Sequence, residues 1–443
     1  MNLRLLESLV TTEPLADAFS DSAVLAAMLR FEVALARAES RLGVIPAAAA
    51  DAIARAAVPD AFDAASIARA ACDTGTIAIP FVDALIARVS AVDPDAATFV
   101  HWGATSQDVS DTALVLCLGR ARAVLLSDHE RLTGTLRRLS DQHARTVMLG
   151  RTLLQPAPPI TFGLKAAGWF AAVSRAGTRM FKAFDAAEVL QFGGATGTLA
   201  ALGTHGLAVA AALAHELDLH DPGAPWHAHR DRFAALGADC GIYCGTLGKV
   251  ARDLALLMQH EVGEASGPGG RSSTMPHKQN PVGCGIALTA ATRVPGLVAS
   301  LLAGLPQDHE RGLGAWAAEA ATIAAIVQAT GAALASIREV ADTLQVDANR
   351  MRANIERTGG AVYAERAMFL LAPVVGREAA RRIVADALDS ARRGTASFGA
   401  AIAADAAAAG AQLGDQLSDL TVPEAYLGAA DELRRRLLDD THS

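Results

Sequence analysis

Aromatic residues are scarce in this sequence. They make up 5% of the chain, although hydrophobic residues account for 51% of it. The apolar content is therefore biased toward alanine and leucine, which favour helices over strands. The chain has 443 residues, more than usually fold around a single hydrophobic core, so two or three domains are expected. The composition is typical of a large helical protein.

Basic residues are in the minority. The chain has 39 Lys and Arg against 47 Asp and Glu, which gives a formal net charge of −8. A nucleic-acid groove needs a net basic surface, so this balance argues against a nucleic-acid partner. An anionic ligand would have to be bound by a few local cations, because the overall field does not favour it.

Cysteines are few and scattered: Cys72, Cys117, Cys240, Cys244 and Cys284. An odd number in a large chain is typical of reduced thiols in the cytosol. Cys240 and Cys244 would share one helix face and could form half of a metal site. No second Cys or His pair with ligand spacing accompanies them, so packing is the better interpretation and no metal is expected.

A secretory signal and a membrane span are not indicated either. Glu7 follows the first few residues, where a signal peptide would have its apolar core. The longest uncharged run, 320–337, contains Thr, Gln and Ser, which suits a helix buried in a bundle better than a membrane span. A cytoplasmic protein without a membrane partner is predicted.

Proline and glycine divide the chain into helices. Asp21 and Ser22 can cap a helix whose apolar residues, including Met28 and Phe31, follow three-to-four-residue spacing. Long helical stretches are predicted at 108–146, 163–190, 232–262, 282–305 and 317–344, the fourth kinked at Pro295. We predict an all-α protein with an N-terminal helical domain (1–105), a central long-helix bundle (106–353) and a C-terminal helical domain (354–443).

The most specific segment is 266–281. Its glycines permit backbone conformations closed to other residues, so it can act as a mobile flap. Ser272, Lys278 and Asn280 supply a proton carrier, a positive charge and an amide within nine residues. This set suits proton transfer at a carbon beside a carboxylate, where negative charge develops. A flexible linker with a solvated lysine is the alternative interpretation.

Ser-Ser-x-Met-Pro-x-Lys-x-Asn-Pro in this segment resembles the signature loop of the fumarase/aspartase superfamily. Segments 99–108 and 150–157 resemble its first and second substrate-binding segments. Segments 191–194 and 426–430 are similar to its cycloisomerase branch in particular. The resemblance implies three all-α domains of the L-aspartase-like fold and a homotetramer whose active sites combine segments from three subunits. It implies neither a metal nor an organic cofactor.

The resemblance also assigns site residues. Ser272 matches the serine that acts on the carbon-bound proton, while Lys278 and Asn280 would bind a substrate carboxylate. Arg271 stands where the family usually has glycine; Gly269 and Gly270 would then serve as the hinge, and Arg271 would meet a carboxylate or solvent. The other predicted substrate-binding residues are His101, Thr105, Ser106, Arg151, Thr152, Gln155, His229, Arg230 and Arg311.

Several of the assigned residues lie in sequence contexts that bear on their roles. Thr105 and Ser106 would lie at a helix N-terminus, which binds carboxylates through backbone donors, whereas Asp108 is expected to serve as a structural first-turn residue. Arg311 follows Glu310, so a surface ion pair is its alternative. His229 belongs to a His-x-His segment that could suggest a metal, but the resemblance implies none.

Leu153 is the most informative departure from the family pattern. Lyases of the superfamily commonly have histidine at this position, and in several of them it is the general acid. Expelling an amine or amide nitrogen benefits from protonation, but a carboxylate leaves unaided because its conjugate acid has a pKa of about 4. Leucine therefore favours the reversible lactonisation of a carboxymuconate polycarboxylate. A lyase acting on an adenylosuccinate-like substrate and a non-catalytic helical paralogue are the alternatives.

Overall fold

The computed structural model describes residues 5–271, 274–275, 277–410 and 413–439, and the chain is mainly helical in these ranges. Its described α-helices are α1 Glu13–Ala18, α2 Asp21–Arg41, α3 Ala47–Ala56, α4 Ala64–Thr74, α5 Ala78–Ser90, α6 Ser106–Gln142, α7 Phe162–Ala187, α8 Gly206–Leu217, α9 Asp231–Met258, α10 Val282–Ala303, α11 Ala315–Asp342, α12 Ala348–Glu356, α13 Ala364–Val375, α14 Arg377–Arg393, α15 Phe398–Ala408 and α16 Ala430–Asp439. The strands are β1 Val147–Thr152, β2 Gln155–Thr161, β3 Ala265–Ser266, β4 Gly270–Arg271, β5 Gln279–Asn280 and β6 Gln345–Val346. The predicted all-α class is confirmed.

The long helices follow the proline and glycine punctuation of the sequence. All five predicted stretches are present as α6, α7, α9, α10 and α11, and Pro295 lies inside α10. In α2 the predicted spacing buries Met28 and Phe31. The cap of α2 differs from the prediction: Ser20, rather than Asp21 or Ser22, accepts a hydrogen bond from the Ala23 amide at 3.2 Å. Ser20 has the extended backbone that an N-cap requires.

The β1–β2 hairpin is an element that the sequence analysis did not predict. Its strands are antiparallel, with Thr152 opposite Gln155 and an irregularity between Leu149 and Gly150. Gly150 is required there because a β-carbon would approach the carbonyl oxygen of Pro158 to 2.6 Å. Prolines in β2 are compatible with a two-stranded ribbon, whose outer edges need no further ladder hydrogen bonds.

The chain forms two compact units, each assembled from three separated segments. Unit 1 comprises the described parts of Met1–Glu130, Ala176–Gly248 and Gly285–Ser336. Unit 2 comprises the described parts of Arg131–Arg175, Lys249–Cys284 and Ile337–Ser443. The predicted division into three domains, with boundaries after residues 105 and 353, stays a prediction.

Each unit has a hydrophobic core of its own. The core of unit 1 joins apolar residues between Leu25 and Leu217, with Phe31 and Phe81 fully buried. The core of unit 2 packs β1 against helices of the C-terminal region, around residues such as Tyr363 and Phe398. By length and composition alone, α10 and α11 could cross a membrane, a test that core helices of soluble proteins also pass.

Candidate active site

A cluster of predicted residues gathers at the N-terminal end of α6 in unit 1. The guanidinium of Arg311 donates hydrogen bonds to Thr105 Oγ1 at 2.8 Å and to Ser106 Oγ at 3.0 Å. Its Nε also donates to Gln107 Oε1 at 3.2 Å. The structure therefore brings Arg311 to Thr105 and Ser106, although Arg311 lies 206 and 205 residues after them in the sequence. A cation and two hydroxyls beside a helix N-terminus are a suitable arrangement for a carboxylate.

Asp108 anchors this end of α6. Its carboxylate accepts hydrogen bonds from the backbone amides of Thr105, Gly193 and Gly194 at 2.9–3.1 Å. The buried ring of His227 lies 2.6 Å from it through Nε2. Asp108 is fully buried, so these partners compensate for its loss of hydration. This is the structural role predicted for it, and it fixes where Thr105 and Ser106 lie.

His101 precedes this cluster and has a buried partner that sequence reasoning missed. Its Nδ1 lies 2.6 Å from Glu32 Oε1 on α2. The Glu32 side chain is 1% exposed and that of His101 is 15% exposed. Burial alone would lower the pKa of His101, but the charge and hydrogen bond of Glu32, together with Asp108, raise it above its usual value of 6.5.

Arg230 has a structural role, which replaces its predicted contact with substrate. Its side chain is 1% exposed, and its guanidinium makes two hydrogen bonds to Asp111, at 2.7 and 3.0 Å. It also forms an ion pair with Glu319 and stacks over the ring of Trp226, 4.5 Å from the ring centroid. A cation enclosed in this way by two carboxylates and an aromatic ring uses most of its N–H donors within the protein and exposes almost none of its surface to a ligand.

The neighbouring histidines differ in their environment. His229 is exposed, so it remains a candidate for contact with substrate, whereas His227 is buried against Asp108. Within the described ranges, no group of three His, Cys, Asp or Glu residues is arranged to hold a metal ion. The His-x-His segment thus divides into one structural and one exposed ring.

The second predicted segment forms the tip of the β1–β2 hairpin in unit 2. Arg151 makes a two-pronged ion pair with Glu264, at 2.8 and 2.6 Å, and Glu264 is completely buried. Glu264 also accepts a hydrogen bond from Asn354 at 2.8 Å. Thr152 and Gln155 are exposed beside it. Because Glu264 already neutralises Arg151, the charge available to an anion here is smaller than the sequence alone suggests.

The hairpin turn itself consists of Leu153 and Leu154. Both have positive φ, at 50° and 65°, and their side chains are 96% and 78% exposed. Leucine rarely adopts this left-handed conformation, which favours glycine and asparagine. The turn therefore presents two apolar side chains to the surroundings, one of them at Leu153, where the resemblance noted in the sequence would commonly place histidine.

A cavity of about 540 Å³ lies beside this hairpin. Arg151, Gln155 and Arg357 line it together with Asn354 and Thr358, so cations, amides and a hydroxyl face one space within unit 2, as does the carboxylate of Glu261. The cavity is large enough for a small polycarboxylate. Arg357, Asn354 and Thr358 were not predicted, because neither their spacing nor their residue types distinguish them from ordinary helix-end residues.

The signature segment is held at its base by a short ladder. Gly270 pairs with Asn280 and Arg271 with Gln279. Lys278 is exposed and Asn280 is half-buried. Ser272, the predicted catalytic serine, lies outside the described residues, and so does the side chain of Arg271. The ladder therefore brings the two ends of the segment together.

Gly269 and Gly270, the residues of the proposed hinge, are closely packed. A β-carbon at Gly269 would be too close to Gln279, and one at Gly270 would overlap Val282. Neither glycine has a positive φ. Close packing therefore gives a reason for glycine at both positions, and the hinge predicted from the sequence stays a prediction.

Two family models match the chain. A model described as lyase matches residues 7–296, and one described as adenylosuccinate lyase C-terminus matches residues 360–437. The first covers more than half of the chain, including Thr105, Ser106, the hairpin and the signature segment.

Characterised relatives and solved structures match nearly the full length. A 3-carboxy-cis,cis-muconate cycloisomerase from Bradyrhizobium diazoefficiens is 44% identical, over 98% of this chain and 97% of its own. A nitrosuccinate lyase from Streptomyces davaonensis is 41% identical, over 95% of this chain and 91% of its own. The crystal structure of a 3-carboxy-cis,cis-muconate lactonizing enzyme from Pseudomonas putida has a TM-score of 0.93 and 40% identity, covering 99% of both chains. The chain therefore belongs to the lyase family of the fumarase/aspartase superfamily.

Proposed function

We propose that this protein is a 3-carboxy-cis,cis-muconate cycloisomerase. It interconverts the tricarboxylate diene and 4-carboxymuconolactone, without metal or organic cofactor, in the protocatechuate (beta-ketoadipate) branch of aromatic catabolism. Full-length relatives that carry this name, at 44% identity, support the proposal. Its small anionic substrate also suits the local cations and hydroxyls of Arg311, Thr105 and Ser106.

The observation that carries the proposal is Leu153. It is 96% exposed at the tip of a hairpin, so an apolar side chain is presented where a general acid would otherwise stand. A carboxylate needs no protonation to leave, since its conjugate acid has a pKa of about 4. Opening a lactone by β-elimination therefore requires a base at carbon and a clamp for negative charge, but no acid at this position.

The proposed reaction assigns a role to each predicted residue. In the eliminating direction, Ser272 takes the proton from the carbon beside a carboxylate, the ring C–O bond breaks, and the lactone oxygen leaves as a carboxylate. In the reverse direction that carboxylate oxygen attacks the alkene and Ser272 returns the proton to carbon. Lys278 and Asn280 hold the charge that develops. The groups that bind the remaining carboxylates are His101, Thr105, Ser106, Arg151, Thr152, Gln155, His229, Arg271 and Arg311.

We further propose that the protein is a cytoplasmic homotetramer whose active sites are shared between subunits. In the most apolar stretch of α10, 22% of the residues are buried within the chain. Contact with further copies of the chain would cover this surface, whereas an exposed apolar helix in water is unfavourable. Light scattering coupled to size exclusion should give four times the mass of 45.7 kDa; a monomer would contradict the proposal.

The direct test is to mix the purified protein with 3-carboxymuconate and follow the loss of conjugated-diene absorbance. Turnover that persists after treatment with a chelator is expected. Ser272→Ala should lower kcat by about 100-fold or more, because it removes the proton carrier. Ser273→Ala changes the adjacent serine by the same single oxygen and is the matched control, expected to retain much more activity. Near-normal turnover by Ser272→Ala would contradict the assigned role.

Nitrosuccinate β-elimination is the second candidate function. Nitrite, like a carboxylate, is the conjugate base of an acid far stronger than an ammonium ion, so it can leave without protonation and Leu153 is compatible with its departure. A relative named nitrosuccinate lyase is 41% identical. Release of nitrite from nitrosuccinate, without turnover of 3-carboxymuconate, would favour this reaction. An adenylosuccinate-like substrate would need a phosphate site and an acid for nitrogen. Inactivity toward all three substrates would favour a non-catalytic paralogue.

A further inference from the structure

Glu32 and His101 form a buried contact between a carboxylate and an imidazole. Glu32 lies in the buried face of α2, with a side chain that is 1% exposed. Burying a carboxylate is costly unless a partner compensates for its lost hydration. The ring of His101 supplies that partner at 2.6 Å, across 69 residues of sequence.

The backbone of His101 is also held in an unusual conformation. Its φ is 58°, in the left-handed region that non-glycine residues seldom adopt. Such a conformation costs on the order of 1 kcal/mol and persists where the surroundings determine it strongly. His101 lies four residues before Thr105, and the Ala104 amide donates to its carbonyl oxygen at 3.3 Å. The turn thus directs the imidazole toward Glu32 immediately before α6 begins.

We propose that Glu32 is a positioning residue that orients His101 and keeps its imidazole protonated, so that Nε2–H binds a substrate carboxylate. The proposal rests on the proposed function for the identity of the substrate. Because an ionised carboxylate can only accept hydrogen bonds, the proton on Nδ1 is directed to Glu32. The second ring nitrogen, Nε2, is then left to meet the ligand.

The charges around His101 support a cationic ring. Burial opposes the charged form, but Glu32 on α2 and Asp108 on α6 both favour it, and together they raise the pKa of His101. A protonated His101, four residues before Thr105, adds a second cation to the segment whose Thr105 and Ser106 accept hydrogen bonds from Arg311. Two cations can bind two carboxylates of one substrate, so such a site binds a polycarboxylate more tightly than a monocarboxylate.

The test is Glu32→Gln, with measurements of binding as well as turnover. The NMR resonance of His101 is assigned by its disappearance in His101→Asn. The pKa read from its titration should fall below 6.5 in Glu32→Gln, because the charge of Glu32 no longer offsets the effect of burial. The Kd of tricarballylate, a non-reactive tricarboxylate, should rise about tenfold or more at pH 7.5, as expected for losing one hydrogen bond to a charged group. Lowering the pH toward 5.5 should restore much of this affinity, which no purely structural damage would do.

Glu39→Gln is the matched control, because Glu39 is a second buried glutamate on the same helix, seven residues away. Burial, followed by the charge of Glu32, raises the pKa of Glu39 to about 8, so the residue is largely uncharged at pH 7 and glutamine imitates it. This control should leave the titration of His101 and the Kd of tricarballylate unchanged.

Two results would overturn the proposal: an unchanged His101 titration in Glu32→Gln, or unchanged tricarballylate affinity. If Glu32→Gln does not fold, the wild-type protein alone still tests the proposal, since a His101 pKa at or below 6.5 would contradict it. Failure of the wild-type protein to turn over 3-carboxymuconate, with tricarballylate binding and its dependence on Glu32 intact, would count against the proposed function only.

Discussion

Replacing Glu39 by glutamine should stabilise the protein strongly at pH 8 and by less than about 1 kcal/mol at pH 5. Glu39 is 0% exposed on α2, and neither of its carboxyl oxygens has a hydrogen-bond partner in the described part of the chain. Burial is the main reason why its pKa rises from 4.5 to about 8, and the nearby charge of Glu32 adds to it. The folded protein therefore holds a proton on Glu39 that the unfolded chain releases above pH 4.5.

The sign and size of the effect follow from proton linkage. Between pH 4.5 and about 8 the folded state binds one more proton than the unfolded state at Glu39, so rising pH lowers the free energy of unfolding. Each pH unit in this window is worth about 1.4 kcal/mol. At pH 7 the wild-type protein should have lost about 3 kcal/mol, and toward pH 8 up to about 5 kcal/mol, relative to its stability below pH 4.5. Glutamine never ionises, so the variant escapes this loss.

Urea unfolding of wild-type and variant protein at pH 5, 6, 7 and 8 is the assay, with protein concentration held constant because assembly contributes to stability. The difference between the two proteins should grow steadily with pH, while the contributions of other titrating groups cancel. Glu378→Gln, on the exposed side of α14, is the matched control and should change stability by less than about 0.5 kcal/mol. A difference that stays constant from pH 5 to pH 8 would refute the reasoning, since it would mean that Glu39 is ionised in the folded protein.

Three further substitutions test the site. Lys278→Met should lower kcat/KM by about 100-fold or more, because in the proposed reaction its charge stabilises both the bound substrate and the intermediate; an unchanged value would show that Lys278 contacts only solvent. Arg230→Met should cost about 3–5 kcal/mol of stability by leaving two buried carboxylates unpaired, whereas Arg381→Met, at an exposed ion pair, should cost at most about 1 kcal/mol. Arg271→Gly should retain the reaction, raise KM and speed amide exchange in the flap; unaltered KM and exchange would show that Arg271 meets only solvent.

The long helices were predictable because their signals are local. Apolar spacing, helix-forming residues and the positions of proline and glycine lie within the element itself, and α6, α7, α9, α10 and α11 end within a few residues of the predicted bounds. The β1–β2 hairpin was not predicted because its turn contains Leu153 and Leu154, residues that carry no turn signal. The strands themselves are indicated only by a short apolar run at 147–149 and by the prolines that follow it, which is too little to predict a hairpin.

The site was predictable where a motif defined it and not where partners lie far apart. Thr105, Ser106 and Arg311 were each named from the family pattern, and the structure brings them together. The partners of Arg230, Asp111 and Glu319, are 119 and 89 residues away, so the sequence around Arg230 does not indicate them. Glu32 was missed for the same reason, since an isolated glutamate on an amphipathic helix is usually a solvated residue.

The interleaving of the two compact units has a consequence for biosynthesis. Unit 1 needs the segment that begins at Gly285, although its first segment ends at Glu130. A ribosome adding about 5–20 residues per second takes roughly 8–30 s to cover that interval, so the nascent chain holds incomplete apolar surface for that long. Unit 2 is completed only by residues after Ile337. A stop codon at any of the segment junctions would therefore leave at least one unit incomplete, so neither unit can fold fully from its first segment alone.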